Sequence, residues 1–152
     1  MVGGNTLKQT KMIAKILVDN GADAIHVSAG NRIEDGGLKG FSSQRGHPNQ
    51  DMPDATNIHL AEGIRKIVDV PVIGVGKIGS PQIAEEVLSE KRADIVALGR
   101  ALVADPLLPK KARSGDWDSI DYCHYCNQCW YKVIEGKSLR CVMMAKKEGV
   151  AP

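Results

Sequence analysis

Aromatic side chains are scarce in this sequence, at 4% of 152 residues with a single Phe. Any packed core is therefore aliphatic and alanine-rich, and 43% hydrophobic content is enough to build one of ordinary domain size. Charge of one sign is lacking too: the net charge is +2, the basic residues are scattered, and no Lys/Arg run exceeds two. That gives no footprint for nucleic acid. Long apolar runs are missing; the most apolar stretch, VPVIGV at 70–75, is far too short to span a membrane. The N-terminus MVGGNTLKQTK has no apolar segment of the kind that directs secretion. The four Cys then read as thiols or metal ligands rather than disulfides, and a cytoplasmic protein is expected.

Asn5 or Thr6 can cap a helix whose apolar positions Leu7, Ile13, Ala14, Ile16 and Leu17 share one face, and Gly21 ends it. ADAIHVS (22–28) reads as a buried strand, and a Gly- and charge-rich loop occupies 29–53. A second helix carries Ile58, Ala61, Ile64, Ile67 and Val68 on its inner side. VPVIGV (70–75) is a second strand. Ser80 and Pro81 open a third helix through Ile83, Ala84, Val87 and Leu88. ADIVALG (93–99) is a third strand, 100–115 is a shorter helical region, and 116–152 holds all four Cys and both Trp. Strands and helices alternate, and each strand is a continuous apolar run. This predicts an α/β fold with parallel strands covered on both faces.

VIGVGKIGSP (72–81) contains G-x-G-x-x-G at Gly74, Gly76 and Gly79. In a dinucleotide fingerprint the third Gly lies in the first helical turn, and an acidic residue ends the next strand. Here Gly79 precedes the helix start, and Asp94 begins its strand rather than ending it. The context fails on both counts. A P-loop fails as well, because Pro71 stands where its first Gly would be. What remains is two consecutive strand ends, GVGKIGS and LGRA, each with Gly followed by a cation. Such loops either cradle a phosphate through backbone N–H groups and a helix N-terminus, as after the last two strands of a (β/α)8 barrel, or simply make tight turns.

GADAIHVSAG, VPVIGVGKIGSPQIAEEVL and ADIVALGRALVADP, in that order and followed by CHYCNQC and LRC, resemble the last third of the old yellow enzyme family. The nearest branch is the NADH:flavin oxidoreductase and 2,4-dienoyl-CoA reductase group. The resemblance implies a partial (β/α)8 TIM barrel over 1–115, with βα units like strands six to eight, and a Cys-rich segment over 116–152. It implies FMN, with its phosphate held by Gly76, Lys77 (through backbone N–H), Gly99 and Arg100, and with Ser28 to Gly30 near the cofactor. The family's proton donor and its substrate-binding His/Asn pair lie in the part of the barrel without a counterpart here, so no catalytic residue is assigned. His26 falls in a strand expected to be buried, His59 on a helix, and His47 and His124 in irregular segments.

Cys123, Cys126, Cys129 and Cys141 form C-x2-C-x2-C-x11-C. Thiolates two residues apart can converge on one centre, with the fourth closing it. A [4Fe–4S] cluster, zinc and unligated thiols all suit four soft ligands. The related reductases carry an iron–sulfur cluster on a segment one residue longer between its second and third Cys. Asn127, Gln128 and Arg140 could hydrogen-bond to its sulfurs, while Trp117 and Trp130 read as packing. The competing expectations are an FMN-dependent NAD(P)H oxidoreductase segment, incomplete alone, and a non-catalytic module that binds a phosphorylated ligand or a metal. A natural short protein and a fragment fit equally. Open sheet edges predict self-association, or a partner chain that completes the barrel.

Overall fold

The structure is a computed structural model that describes residues 4–30, 46–147 and 149. Most of the expected 29–53 loop lies outside them. Helix α1 (Leu7–Asp19) begins at Thr6, whose side chain accepts from the Gln9 N–H while Gln9 reaches back to the Thr6 backbone. This reciprocal capping box resolves the choice between Asn5 and Thr6. Strand β1 (Ile25–Val27) follows, then α2 (Ile58–Arg65), β2 (Val72–Val75), α3 (Pro81–Ser89) and β3 (Ile95–Ala97). The expected helical region after β3 is two helices, α4 (Arg100–Ala104) and α5 (Leu108–Ser114). A 3-10 turn (Trp117–Ser119), α6 (Gln128–Ile134) and α7 (Val142–Lys147) complete the described elements.

The three strands form one parallel sheet in the order β1–β2–β3. Ile25 pairs with Val72 and Val27 with Gly74, while Ile73 pairs with Ile95 and Val75 with Ala97. Among the described residues the core lies on one face. Val72 and Val27 pack there with Ile58, Ala61 and Ile64 of α2, Val87 of α3 and Ala14 of α1. Helix α2 sits very close to β2. A Cβ added to Gly74 would lie 2.7 Å from Ile58 Cδ1 and 3.3 Å from Ala61 Cβ.

Among the described residues the other face does not show the covering expected on both sides. His26, Ile73 and Ile95 form a row across it; His26 is exposed rather than buried, and Ile95 is 49% exposed. Helix α1 departs in the same way. Of its apolar stripe only Ala14 is buried and Leu7 packs on the core, whereas Ile16 is 59% exposed and Ile13 and Leu17 are exposed as well. The helical period identified that stripe, but no described element covers most of it.

A second cluster of Ala101, Leu108 and Ile120 joins α4 and α5 to the segment that leads into the cysteines. Asp105 fastens this junction. Its buried carboxylate accepts from the Leu107 N–H at 2.9 Å, the Asp121 N–H at 3.0 Å and Lys111 Nζ at 2.6 Å. The same side chain explains the break between α4 and α5, because Asp105 leaves the helical conformation and caps the next turn.

Candidate functional site

Beyond the C-terminal ends of the strands lies a cavity of about 260 Å3. Ser28, Val75 and Ala97 floor it, the Gly76–Ile78 and Gly99–Ala101 turns form one side, and Tyr125, Cys129 and Trp130 from the Cys-rich segment form the other. The strand-end residues expected to meet an anion are thus brought together: Gly76, Lys77, Gly99, Arg100 and Ser28 all line it. Gly30, with φ of 131°, is not one of its described lining residues.

The glycines of the 72–81 stretch each do a separate structural job. Gly74 admits helix α2 against the sheet. Gly76 has φ of 132° and leaves room for Asn57, which would lie 2.8 Å from an added Cβ. Gly79 seats the Tyr125 ring, whose Oη would be 2.1 Å from an added Cβ. Asp94 lies at the opposite end of the strands from the cavity. There it accepts from the Val72 N–H at 2.9 Å and from Arg65 Nε at 2.8 Å. Those contacts hold its carboxyl below the usual range against its partial burial. It closes the bottom of the sheet, so it cannot act as the acidic residue of a dinucleotide fingerprint.

Two cations border the cavity, differently used. The Lys77 side chain is 8% exposed and turns away from the strand ends. Its Nζ donates to the Gln50 carbonyl at 3.0 Å and to the Met52 carbonyl, with Asp54 at 3.5 Å. Only its backbone remains for a ligand. Arg100 is half-buried and anchored through a single nitrogen. Nη1 donates to the Pro48 carbonyl at 2.7 Å and to Asn127 Oδ1, and the guanidinium lies 4.9 Å from the Tyr125 ring centre. Among the described residues, Nε and Nη2 have no protein acceptor. A guanidinium carries five N–H donors in a fixed fork, so Arg100 is oriented and still has donors to give.

The strand-end turns suit the phosphate end of a flavin nucleotide. A Cβ at Gly99 would meet nothing within 4 Å, which leaves the backbone approachable, and Arg100 supplies the fork. The volume is below the roughly 300–1,000 Å3 of pockets that enclose a whole ligand, so these walls have room for part of a nucleotide only.

The four cysteines surround one small pocket of about 20 Å3 next to this cavity, and Arg100 and Cys129 border both. All four are free. Tyr125 donates its backbone N–H to Cys123 Sγ at 3.4 Å. Burial pushes the Cys123 and Cys129 thiols up, with the Arg100 charge pulling the other way. Among the described residues no three His, Cys, Asp or Glu side chains are arranged to hold a metal ion. The donor chemistry suits a soft metal centre, but the thiols are not drawn into a ligand set.

Sequence reasoning named the residues that join this segment to the 46–48 stretch but not the contacts they make. Asn127 Nδ2 donates to the His47 carbonyl at 3.0 Å, and the His47 and Trp130 rings stack with centroids 3.9 Å apart. Trp117 Nε1 donates to the Ala112 carbonyl at 3.0 Å. Among the described residues no helix is long and apolar enough to cross a membrane.

Comparison with known proteins places this arrangement. Residues 4–118 match the NADH:flavin oxidoreductase / NADH oxidase family. An NADH oxidase of Thermoanaerobacter brockii is 41% identical over 97% of this chain and 22% of its own length. A metal reductase of Desulforamulus reducens is 32% identical over 96% of this chain and 21% of its own length. A solved structure of 6-hydroxypseudooxynicotine amine oxidase from Pseudomonas geniculata N1 superposes with a TM-score of 0.64 at 23% identity. It covers 89% of this chain and 24% of that one. The chain thus spans about a fifth of the length of the first two relatives. By the match over most of its length, the chain belongs to the NADH:flavin oxidoreductase / NADH oxidase family, the wider old yellow enzyme group that its strand-end motifs resemble.

Proposed function

We propose that this chain is the phosphate-binding portion of an FMN-dependent NAD(P)H oxidoreductase, with its sheet forming part of a (β/α)8 barrel. The carrying observation is the Arg100 guanidinium at the strand-end cavity, anchored by Nη1 and with Nε and Nη2 uncommitted among the described residues. In this reading the FMN phosphate accepts from Arg100 and from the backbone N–H groups of Gly76, Lys77 and Gly99. Ser28 to Gly30 border the cofactor. FMN supplies the hydride-accepting ring; the residues described here bind and orient its tail. Cys123, Cys126, Cys129 and Cys141 are the thiols that would hold a [4Fe–4S] cluster, which would supply one-electron transfer. Zinc, or no metal at all, would mark the second reading, a non-catalytic module for a phosphorylated ligand. The rest of the barrel comes from residues outside this sequence, whether of a longer chain, a second copy or a partner chain. The exposed row of His26 and Ile95 and the uncovered stripe on α1 support this part.

The test is a comparison of FMN with riboflavin, which differ by the phosphate. A charge-assisted phosphate contact is worth roughly 1.5–3 kcal/mol. Arg100→Ala should therefore weaken FMN binding about tenfold or more while leaving riboflavin unchanged. An unchanged FMN affinity removes Arg100 from the site. Anaerobic reconstitution with iron and sulfide, read by visible absorbance and metal content, separates a cluster from zinc or bare thiols.

A further inference from the structure

We propose that Tyr125 is a positioning residue of the strand-end anion site, a wedge that fixes Arg100 and the β2–α3 turn at the separation a phosphate monoester requires. The inference rests on the anion-site reading above and goes past it. It assigns a role in the cofactor site to a residue of the cysteine segment.

Three observations converge on this side chain. Its ring has the Arg100 guanidinium at 4.9 Å from the ring centre and Lys77 Nζ at 5.2 Å. Each cation belongs to one of the two turns that must grip the phosphate. The ring is also seated on Gly79, where any added Cβ would meet Oη at 2.1 Å and Cζ at 3.0 Å. The third glycine of the 72–81 stretch, otherwise unexplained, is therefore the seat of this ring. Finally, Lys77, Tyr125 and Asn127 have φ of 55°, 53° and 59°, a left-handed conformation uncommon for residues other than glycine. Three such residues meeting at one junction mark it as a place whose backbone is held by its surroundings.

The ring makes the two cation contacts, while at Gly79 both the ring edge and the hydroxyl approach. Oη is buried and has no hydrogen-bond partner among the described residues. The wedge should therefore survive loss of the hydroxyl and fail on loss of the ring. Because Tyr125 lies between Cys123 and Cys126, the cysteine segment must be docked for Arg100 to be set.

The experiment is titration of the full chain with FMN and with riboflavin, read as the ratio of their affinities. Tyr125→Phe should keep the wild-type preference for FMN. Tyr125→Leu should lose about tenfold of it with riboflavin affinity unchanged, the scale of a partly buried cation–π contact. Gly79→Ala, which drives the ring off its seat, should show the same loss. Adding Tyr125→Phe to Gly79→Ala should restore part of it, because the 2.1 Å clash with Oη disappears. This pair decides the question if the leucine variant does not fold. A preference retained in both Tyr125→Leu and Gly79→Ala overturns the wedge and leaves the anion site standing. A loss in Tyr125→Phe as complete as in Tyr125→Leu overturns it in favour of the hydroxyl. No FMN preference in the wild-type chain overturns the anion site, and the wedge with it.

Discussion

Replacing Asp105 by Ala should loosen the joint between the sheet and the cysteine segment in a way that depends on pH. The carboxylate is 4% exposed and accepts from two backbone N–H groups and from Lys111, which also donates to the Ser119 carbonyl at 2.7 Å. Burial alone would raise its pKa. The Lys111 ammonium and the N–H groups of Asp121 and Leu107 outweigh that and hold the carboxyl below the usual range. Removing it leaves the N–H groups of Leu107 and Asp121 without their acceptor and Lys111 with the Ser119 carbonyl alone, a loss of about 3 kcal/mol by analogy with broken buried pairs. For a chain of this size that lowers the melting temperature by roughly 10 °C. A carboxyl depressed in the folded state stabilises fully above its unfolded pKa of about 3.9 and loses that stabilisation as pH falls through the folded value. The gap between wild type and Asp105→Ala, followed by circular dichroism melting, should be constant from about pH 7 to 5 and narrow below about pH 4. No gap at neutral pH, or one of the same size in acid, would refute the assignment of the joint to an ionised Asp105.

Gly74→Ala should cost about 1–3 kcal/mol, because its methyl would meet Ile58, Ala61 and Ala93 within 3.3 Å; an unchanged melting point would show that α2 is not held against β2. The chain should sediment as a dimer or larger species at micromolar concentration. A few hundred Å2 of uncovered apolar surface costs several kcal/mol at about 25 cal/mol per Å2, and a well-folded monomer would reject that reasoning. The chain alone should not reduce activated alkenes with NAD(P)H, since its described residues include no assigned proton donor. Steady turnover by the pure chain would show otherwise.

Local signals were legible in the sequence and long-range ones were not. Thr6 and the Ser80–Pro81 pair announce helix starts because a cap satisfies backbone groups within three residues. The three strands were found but are shorter than the runs 22–28, 70–75 and 93–99, because apolar character extends past the paired residues. The apolar runs also implied two covered faces. A run records what burial the side chains require, and here His26, Ile73 and Ile95 form a face that no described element covers. The break at Asp105 was missed for another reason. Its partners include Asp121, sixteen residues on, and no periodicity carries a contact of that span.

The site divides along the same line. Gly76, Gly99 and Arg100 were legible because a strand end followed by glycine and a cation is a local pattern with a local mechanism. What sets Arg100 comes from Pro48, 52 residues before it, and Asn127, 27 residues after it. A pattern match also says nothing about why a glycine is present. The same G-x-G-x-x-G that suggests a pyrophosphate cradle is met here by a helix at Gly74, an asparagine at Gly76 and a tyrosine ring at Gly79. The usable hint was a misfit: Gly79 lies before its helix, where a fingerprint gives it no task. A glycine with no local reason points to a distant side chain that needs its space, and in this chain that side chain lies between two cysteines.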